Sequence, residues 1–324
     1  MQTLLKKWFS RFPDYPAESL PWPDRKDFKK RLREKLSSGA VSEEEAGDLE
    51  SWNRDGYVIW RGAVDSALID GLLQDYETAW RERPHCHLLV PMKSPALWAD
   101  IGERGEKRNC RVMDFHNLSG AAAAIMMHPR ILNFMRLVFD EKPVGMQTLF
   151  FEHGSEQGAH QDFAYVQADI LSHLAAAWVA CEDTDDLNGP LLYYPGSHRI
   201  PKFDFEDGRI AYTAKDASRH EAWVKHMKSA CERMGLKSRI FEAKKGDVLL
   251  WHSALVHGGS RVVDKQRTRK SLVSHYSDIK AYPEDWRSRG KLPRQVEMNG
   301  GVYYEWEAPG HLEGRYPRGA RGGS

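Results

Sequence analysis

The chain has 324 residues, of which 41% are apolar, and its formal net charge is +1. This length allows one large domain or two small ones, with enough aromatic residues (11 Trp, 12 Tyr and 12 Phe) for a sizeable core. A nearly neutral chain has no global electrostatic field that would favour nucleic acid or an anionic membrane as a partner.

The four cysteines are widely spaced and form no Cys-x-x-Cys pair, which indicates free thiols in a reducing compartment. The first residues lack the roughly 7–15-residue apolar core of a signal peptide. No apolar run reaches the roughly 18 residues of a membrane span. We therefore expect a cytoplasmic protein without a membrane span.

The first 140 residues are predicted to be mainly helical. Residues 1–40 are polar and basic, with a charged helix over 24–35 that either packs on the main domain or binds a partner. Ser42 is a candidate N-cap, and Glu45 completes a capping box for a helix that ends at Gly56. The following predicted elements are a strand over 57–63, a helix over 65–80, a pocket-lining loop over 86–110, a strand over 111–115 and a helix over 128–139.

From residue 143 the pattern changes to short β-rich segments separated by turn residues, which favours a sandwich or barrel. A helical insertion over 214–235 interrupts this region, and an insertion between strands is a favourable place for a lid or substrate loop. The predicted strands cover 144–151, 159–163, 174–182, 191–194, 240–243, 247–251 and 270–276.

The tripeptide His160-Gln161-Asp162 lies in one of these strands, after a glycine-rich bend. Side chains at i and i+2 of a strand point to the same side, so an imidazole and a carboxylate would aim at a common point. With a second imidazole they would form a two-His-one-carboxylate face, which leaves three positions of an octahedral ion open, as in non-haem Fe(II) oxygenases. The segment His85-Cys86-His87 has the same spacing but lacks a carboxylate, so a packed or surface pair is the better interpretation there.

His252 and His257 are the candidates for the second imidazole. They are five positions apart, so an uninterrupted strand would turn them to opposite faces and supply only one ligand. We favour His257, because Gly258-Gly259 after it allows a close backbone approach at a site. His252 follows an apolar run and is interpreted as a hydrogen-bonded or core histidine.

Arg269 and Ser271 share a face of the last predicted strand. A guanidinium and a hydroxyl in this arrangement can meet one carboxylate, which an arginine holds by a forked hydrogen bond. The alternative is a surface arginine in a basic stretch, and without the metal set this alternative would be preferred.

Taken together, the order and spacing of these motifs resemble the phytanoyl-CoA dioxygenase family of Fe(II)- and 2-oxoglutarate-dependent oxygenases. The resemblance extends over residues 45–280. The family often has Trp or Leu before the first histidine, where this chain has Ala159, a difference that would alter the pocket wall but not the ligands. The segments that carry the resemblance are 147–151 (QTLFF), 160–162 (HQD), 188–191 (NGPL), 195–198 (PGSH), 246–247 (GD), 257–258 (HG) and 269–271 (RKS).

The resemblance implies a mainly β fold with flanking helices, a double-stranded β-helix of the jelly-roll, cupin-like kind. It implies Fe(II) held by His160, Asp162 and His257, with 2-oxoglutarate and O2 as co-substrates. The implied reaction is hydroxylation of a small molecule with release of succinate and CO2. Asp162 favours hydroxylation over halogenation, because related halogenases have a small residue in place of this carboxylate.

The resemblance also implies how the co-substrate is held. Arg269 would pair with the distal carboxylate of 2-oxoglutarate, with Ser271 assisting, and Gln147 would hydrogen-bond the co-substrate from an inward-facing strand.

Three parts of the chain are expected on this basis: an N-terminal extension (1–40), the oxygenase domain (41–280, with the helical insertion at about 214–236) and a C-terminal extension (281–324). The substrate is expected to be set by the loops over 90–110, 163–173 and 199–238. Four aromatic residues in or beside these loops are candidates to line the pocket, or else to pack: Trp98, Tyr165, Tyr212 and Trp223.

Two alternatives stay open. One is a non-catalytic jelly-roll binding protein that retains a relic metal site, and the other is a cupin-type metal enzyme that does not use 2-oxoglutarate. The presence of Arg269 argues against both.

Overall fold

Helices form most of the first part of the chain and strands most of the second. The computed structural model describes residues 20–82, 88–91, 99–100, 107–170, 172–206, 208–283 and 294–305. The helices in these ranges are α1 Phe28–Ser37, α2 Glu43–Asp55, α3 Ser66–Glu82, α4 Gly120–Met126, α5 Pro129–Phe139 and α6 His220–Arg233.

Helix α2 begins and ends as predicted. The Ser42 side chain accepts a hydrogen bond from the backbone of Glu45, and the Glu45 carboxylate accepts one from the Ser42 backbone N–H at 2.8 Å. Gly56 ends the helix in the left-handed conformation with φ 79°, which glycine adopts without a steric penalty.

The strands are β1 Tyr57–Trp60, β2 Leu88–Pro91, β3 Ala99–Asp100, β4 Cys110–Met113, β5 Pro143–Phe151, β6 Ala175–Ala180, β7 Leu191–Tyr193, β8 Arg239–Phe241, β9 Val248–His252, β10 His257–Gly259, β11 Ser271–Asp278, β12 Arg294–Met298 and β13 Gly301–Glu305. They form two sheets. The large sheet has the order β1-β9-β6-β11-β5-β4-β2-β3, and the small sheet has the order β10-β7-β8. The hairpin β12–β13 joins the large sheet through a parallel pairing of β13 with β5.

The large sheet is covered on both faces. Along β6, Ala175, Ala177 and Val179 pack in the core formed with the helices, whereas Ala176 and Trp178 belong to a cluster between the two sheets. We call this second group the inner cluster; it includes Leu191 and Tyr193 of β7 and Phe241 of β8. A strand buried on both sides carries apolar residues at every position, which explains the continuous apolar run of β6.

Residues 20–40 pack on the main body. Trp22, Phe28 and Leu32 are buried in the helix-side core, and the Trp22 indole donates a hydrogen bond to the Leu137 carbonyl at 2.7 Å. The division into three parts stays a prediction, but both flanking parts contribute packed residues to the fold.

The predicted element bounds from residue 143 onward agree with most of the strands to within a few residues. The loop predicted over 86–110 is wrong in part, because β2 and β3 lie within it and extend the large sheet. The hairpin β12–β13 has no counterpart in the sequence predictions. Within the described ranges, no helix combines the length and the apolar character needed to cross a membrane.

Candidate metal centre

Backbone pairing brings His160 and His257 together. Each donates its N–H to the carbonyl of the other, at 2.8 and 3.0 Å, in an antiparallel bridge at the edge of the small sheet. The centroids of the two imidazole rings are 4.3 Å apart. Two residues that are distant in sequence thus present their rings side by side.

Asp162 reaches the same point in a way that differs from the prediction. The strand expected over 159–163 is wrong: His160 takes part only in the isolated bridge, and Asp162 begins a 3-10 helix, Asp162–Ala164. Gln161 between them is extended, with φ −123° and ψ 130°, so Asp162 still faces the side of His160. The Gln161 amide donates to the Ala254 carbonyl at 2.6 Å and fixes this conformation.

The ligand atoms of His160, Asp162 and His257 all lie within 4.8 Å of one another, and all three residues are buried. Asp162 Oδ1 lies 3.5 Å from His160 Nε2 and 3.4 Å from His257 Nε2. These distances suit three ligands that point at one ion.

The tautomers of His160 and His257 follow from the hydrogen-bond partner of each Nδ1 atom. His160 Nδ1 lies 2.9 Å from the Gly158 carbonyl oxygen, and His257 Nδ1 lies 3.0 Å from that of Leu255. A carbonyl oxygen only accepts, so each Nδ1 carries the proton and donates it. Each Nε2 therefore presents a lone pair toward Asp162, which is the form in which histidine binds a metal.

The protonation states agree with this arrangement. Burial lowers the pKa of His257 to about 4, against an opposing effect of Asp162, and the ring is neutral near pH 7. Burial opposes ionisation of Asp162, but the rings of His257, His160 and His275 outweigh it and hold the pKa of the carboxyl well below its usual range. A neutral imidazole and an ionised carboxylate are the states that a metal requires of its ligands.

His252 lies on the helix side of β9, as a hydrogen-bonded core residue. Its Nδ1 accepts from the Ala254 backbone at 2.9 Å, and its Nε2 lies 3.1 Å from Asp24 Oδ2. The interpretation of His252 is confirmed, but the argument from one continuous strand is wrong, because β9 ends at His252 and β10 begins at His257.

The glycines after His257 allow the close approach that was predicted. A Cβ on Gly258 would lie 2.8 Å from the Gln157 carbonyl oxygen, and one on Gly259 would lie 2.8 Å from the Glu156 nitrogen. Only residues without a side chain let the 155–158 bend pass so near β10.

Arg269 is buried, with 3% of its surface exposed, so the surface alternative is wrong. It donates to Ser271 Oγ at 2.6 Å, and its guanidinium lies over the rings of Phe151 and Trp178 at 5.7 and 5.5 Å. Among the described residues no carboxylate pairs with it, and its Nε has no hydrogen-bond partner. Burial lowers its pKa to about 10, against the raising effect of Glu182. An uncompensated buried cation of this kind fits an incoming anion.

A second arginine, which is partly buried, faces the same interior and was missed by the sequence analysis. Arg111 on β4 lies opposite Phe151 on β5, so both side chains are on the inner face of the sheet. Its Nε has no partner among the described residues. Burial lowers the pKa of Arg111, and the charges of Tyr165 and Asp162 oppose this. The signal in the sequence was a lone arginine inside an otherwise apolar strand.

Two further side chains contact Asp162 and were also missed. The Trp251 indole donates to Asp162 Oδ2 at 2.7 Å, and His275 Nε2 lies 3.3 Å from the same oxygen. Gln147 contacts His275, with its amide nitrogen 3.1 Å from His275 Nδ1. Period-two alternation from Arg269 would have placed His275 on the site face.

Three of the predicted pocket aromatics form one cluster beside His160. The Tyr165 ring meets the His160 ring edge-on at 5.8 Å and lies 5.5 Å from both Tyr212 and Trp223. Tyr165 is 43% exposed, whereas Trp223 of α6 is fully buried. Trp98 and the segment His85-Cys86-His87 lie outside the described residues.

Solved structures with a similar fold include enzymes whose titles name α-ketoglutarate or 2-oxoglutarate. The α-ketoglutarate-dependent epimerase SnoN from nogalamycin biosynthesis is 15% identical, with 81% of this chain and 99% of SnoN covered and a TM-score of 0.53. EctD from S. alaskensis, solved with 2-oxoglutarate and 5-hydroxyectoine, is 15% identical over 85% of this chain and 84% of EctD, with a TM-score of 0.53. The expected jelly-roll fold with flanking helices is confirmed.

Curated relatives include peroxisomal phytanoyl-CoA dioxygenases of mammals. Peroxisomal phytanoyl-CoA dioxygenase of Bos taurus is 22% identical over 245 residues, which cover 71% of this chain and 68% of the relative. The Homo sapiens protein of the same name is 21% identical over 263 residues, 77% and 73% of the two chains. The phytanoyl-CoA dioxygenase (PhyH) family model matches residues 52–271, which include His160, Asp162 and His257. The chain therefore belongs to the phytanoyl-CoA dioxygenase family.

Proposed function

We propose that this chain is an Fe(II)- and 2-oxoglutarate-dependent dioxygenase that hydroxylates a small molecule, with release of succinate and CO2. One observation carries the proposal: the ligand atoms of His160, Asp162 and His257 converge in an interior that also holds the buried guanidinium of Arg269, which pairs with no carboxylate among the described residues. A metal site alone would fit many enzymes, whereas a metal site with a buried anion receptor fits a carboxylate co-substrate.

The donor set suits Fe(II). Two neutral imidazoles and one carboxylate on one face are the ligands of non-haem Fe(II) oxygenases, and the opposite face stays open for substrates. When bound, Fe(II) supplies the redox chemistry that couples decarboxylation of 2-oxoglutarate to oxidation of the substrate by O2. The residues of this chain hold and orient the reactants and keep bulk water away from them.

The buried Arg269 and the partly buried Arg111 suit the two carboxylates of 2-oxoglutarate. Arg111, Phe151 and Ser271 lie in register across three neighbouring strands, so the backbones of Arg111 and Ser271 are about 10 Å apart, twice the usual strand spacing. Arg269 with Ser271 would hold the distal carboxylate. Arg111, which interacts with the charge of Asp162, would face the carboxylate nearer the metal.

Hydroxylation is the proposed outcome because Asp162 keeps the third ligand position. A small residue there would open a coordination position for chloride, as expected of a halogenase. EctD was solved with 5-hydroxyectoine, so a jelly-roll of this kind accommodates a hydroxylated small molecule. We also propose a cytoplasmic location, which differs from the peroxisomal one in the name of the bovine relative.

Anaerobic titration tests the function. The protein with Fe(II) should develop the weak visible charge-transfer band of a metal chelate when 2-oxoglutarate is added, and succinate should form when O2 and a substrate are admitted. Metal binding without this band would favour a cupin-type enzyme that uses no 2-oxoglutarate. Neither metal binding nor band would favour a binding protein with a relic site.

A further inference from the structure

A row of side chains crosses the inner face of the large sheet beneath the metal centre. Trp251 on β9 pairs with Ala176 on β6, Ala176 pairs with His275 on β11, and His275 pairs with Gln147 on β5. Directly paired residues of antiparallel strands point to the same face, so all four face the inner cluster. Ala176 is the one small residue in the row, and it leaves a notch between the two large rings.

The carboxylate of Asp162 lies between those rings, and its two oxygens have different neighbours. Oδ1 faces the Nε2 atoms of His160 and His257. Oδ2 faces the other way, accepts from the Trp251 indole at 2.7 Å, and lies 3.3 Å from His275 Nε2.

The Gln147 amide determines which ring nitrogen of His275 carries the proton. The Gln147 amide nitrogen lies 3.1 Å from His275 Nδ1, and an amide nitrogen only donates, so Nδ1 accepts. In the neutral form of the ring the proton is then on Nε2, which makes no hydrogen bond to the described residues and lies 3.3 Å from Asp162 Oδ2. Both residues are buried, at 8% and 3% exposure, so water does not substitute for either partner.

We propose that Gln147 and His275, together with Trp251, hold Asp162 as a one-oxygen ligand and keep His275 out of the metal's coordination shell. A carboxylate can bind a cation through one oxygen or through both. The Trp251 N–H on Oδ2, with the His275 N–H 3.3 Å from the same oxygen, favours the first mode, which leaves three adjacent positions of an octahedral ion open. A ring whose Nε2 carries a proton has no lone pair there for the metal.

This inference rests on the proposed function and makes His275 and Gln147 positioning residues. It explains why a third histidine beside Asp162 differs from the ligands: His160 and His257 donate from Nδ1 to carbonyls, whereas His275 accepts at Nδ1. Ligand and non-ligand histidines are thus distinguished by the partner of one ring nitrogen.

Two variants test it. His275→Phe removes the donor, and Gln147→Leu keeps the ring but releases its tautomer. We expect each to lower Fe(II) affinity by about 10- to 100-fold, the usual effect of losing a residue that orients a metal ligand. We also expect each to shift or weaken the charge-transfer band of the Fe(II)–2-oxoglutarate complex. His275→Gln, which retains an N–H donor, should restore part of both.

Ser274→Ala is the matched control, because Ser274 adjoins His275 on β11 but pairs with Ala177 on the helix side. It should leave affinity and band unchanged, and thermal unfolding of the metal-free proteins shows that each variant is folded. A band in the wild type together with unchanged Fe(II) affinity and band in either folded test variant overturns the inference alone. A wild type that gives no band overturns the proposed function, and the inference falls with it.

Discussion

Asp162 is the buried, hydrogen-bonded carboxylate among the three proposed metal ligands. Because it is the only anionic ligand of the set, Asp162→Ala should lower substrate-independent turnover of 2-oxoglutarate by more than about 100-fold, beyond the range seen for residues that only orient a ligand. Succinate release measures the effect. Asp55→Ala, which changes a carboxylate paired with Arg54 at the surface, serves as the control. Full activity of the Asp162 variant would refute the ligand assignment.

Replacing Arg269 should weaken 2-oxoglutarate binding but increase the stability of the ligand-free protein. Arg269→Met should raise the 2-oxoglutarate concentration needed for half-maximal turnover on the order of 100-fold, since loss of a buried charge partner weakens binding by several kcal/mol. Fe(II) affinity should be retained. The ligand-free variant should unfold at higher urea than the wild type, because burial disfavours the cation more than Glu182 favours it. An unchanged 2-oxoglutarate requirement would contradict the role.

At the residue scale the ligands could be predicted because their types are diagnostic. The tripeptide 160–162 and His257 carry metal-binding groups in their side chains, so spacing and residue type were sufficient to propose them as ligands. His275, Trp251 and Arg111 could not be found in this way, since their roles depend on which strands pair. Gln147 and His275 meet only through the register of β5 and β11, and a single sequence does not specify that register.

At the scale of elements, the turn between β9 and β10 links the segment that carries His160 and Asp162 to the strand that begins with His257. The Ser253 carbonyl accepts from the Phe163 backbone at 3.3 Å, and the Ala254 carbonyl accepts from the Gln161 amide at 2.6 Å. The parity argument for His252 and His257 assumed an uninterrupted strand and did not consider this turn, because a five-residue spacing fits a strand as well as it fits two strands with a turn.

The approach of the 155–158 bend to β10 supplies an element-scale prediction. Gly258→Ala should weaken Fe(II) binding, because its Cβ would lie 2.8 Å from the Gln157 carbonyl and push β10 away from His160. Gly158→Ala is the matched control, since nothing lies within 4 Å of a Cβ at that position. Competition with a chelator measures both affinities. Equal affinities in the two variants would show that the close approach does not position the ligands.

For the whole molecule, the lowered pKa of His198 allows a prediction of how the free energy of unfolding depends on pH. Burial, followed by the nearby His252, lowers the pKa of His198 from 6.5 to about 3, against the effect of Asp24. Below pH 6.5, His198 therefore becomes protonated in the unfolded chain but stays neutral in the folded chain until the pH approaches 3. The stability associated with a neutral His198 is present above this pH and is lost as the pH falls toward 3.

His198→Asn should remove this dependence. Between pH 6 and pH 4 the metal-free wild type should lose about 2 kcal/mol more unfolding free energy than the variant. Urea titrations at the two pH values measure the difference. His220→Asn, at an exposed position, should behave like the wild type; if His198→Asn does so too, the ring is not the source of the acid sensitivity.

The fold class could be predicted from the sequence, because short apolar strands and turn residues from 143 onward indicate a sandwich or barrel. The packing of residues 20–40 and the hairpin β12–β13 could not be predicted. Trp22 and Phe28 lie in a segment whose charge conceals two core residues. The hairpin β12–β13 follows residues that resemble nothing in the family pattern.

That hairpin has a practical consequence for anyone preparing the protein. Val302 and Tyr303 of β13 pair with Val144 and Gly145, the first half of the strand that carries Gln147. A fragment cut at residue 280, where the family resemblance ends, would leave these backbone groups open beside apolar side chains, and such an edge recruits other chains. Solubility in the test tube thus depends on a segment remote from the chemistry.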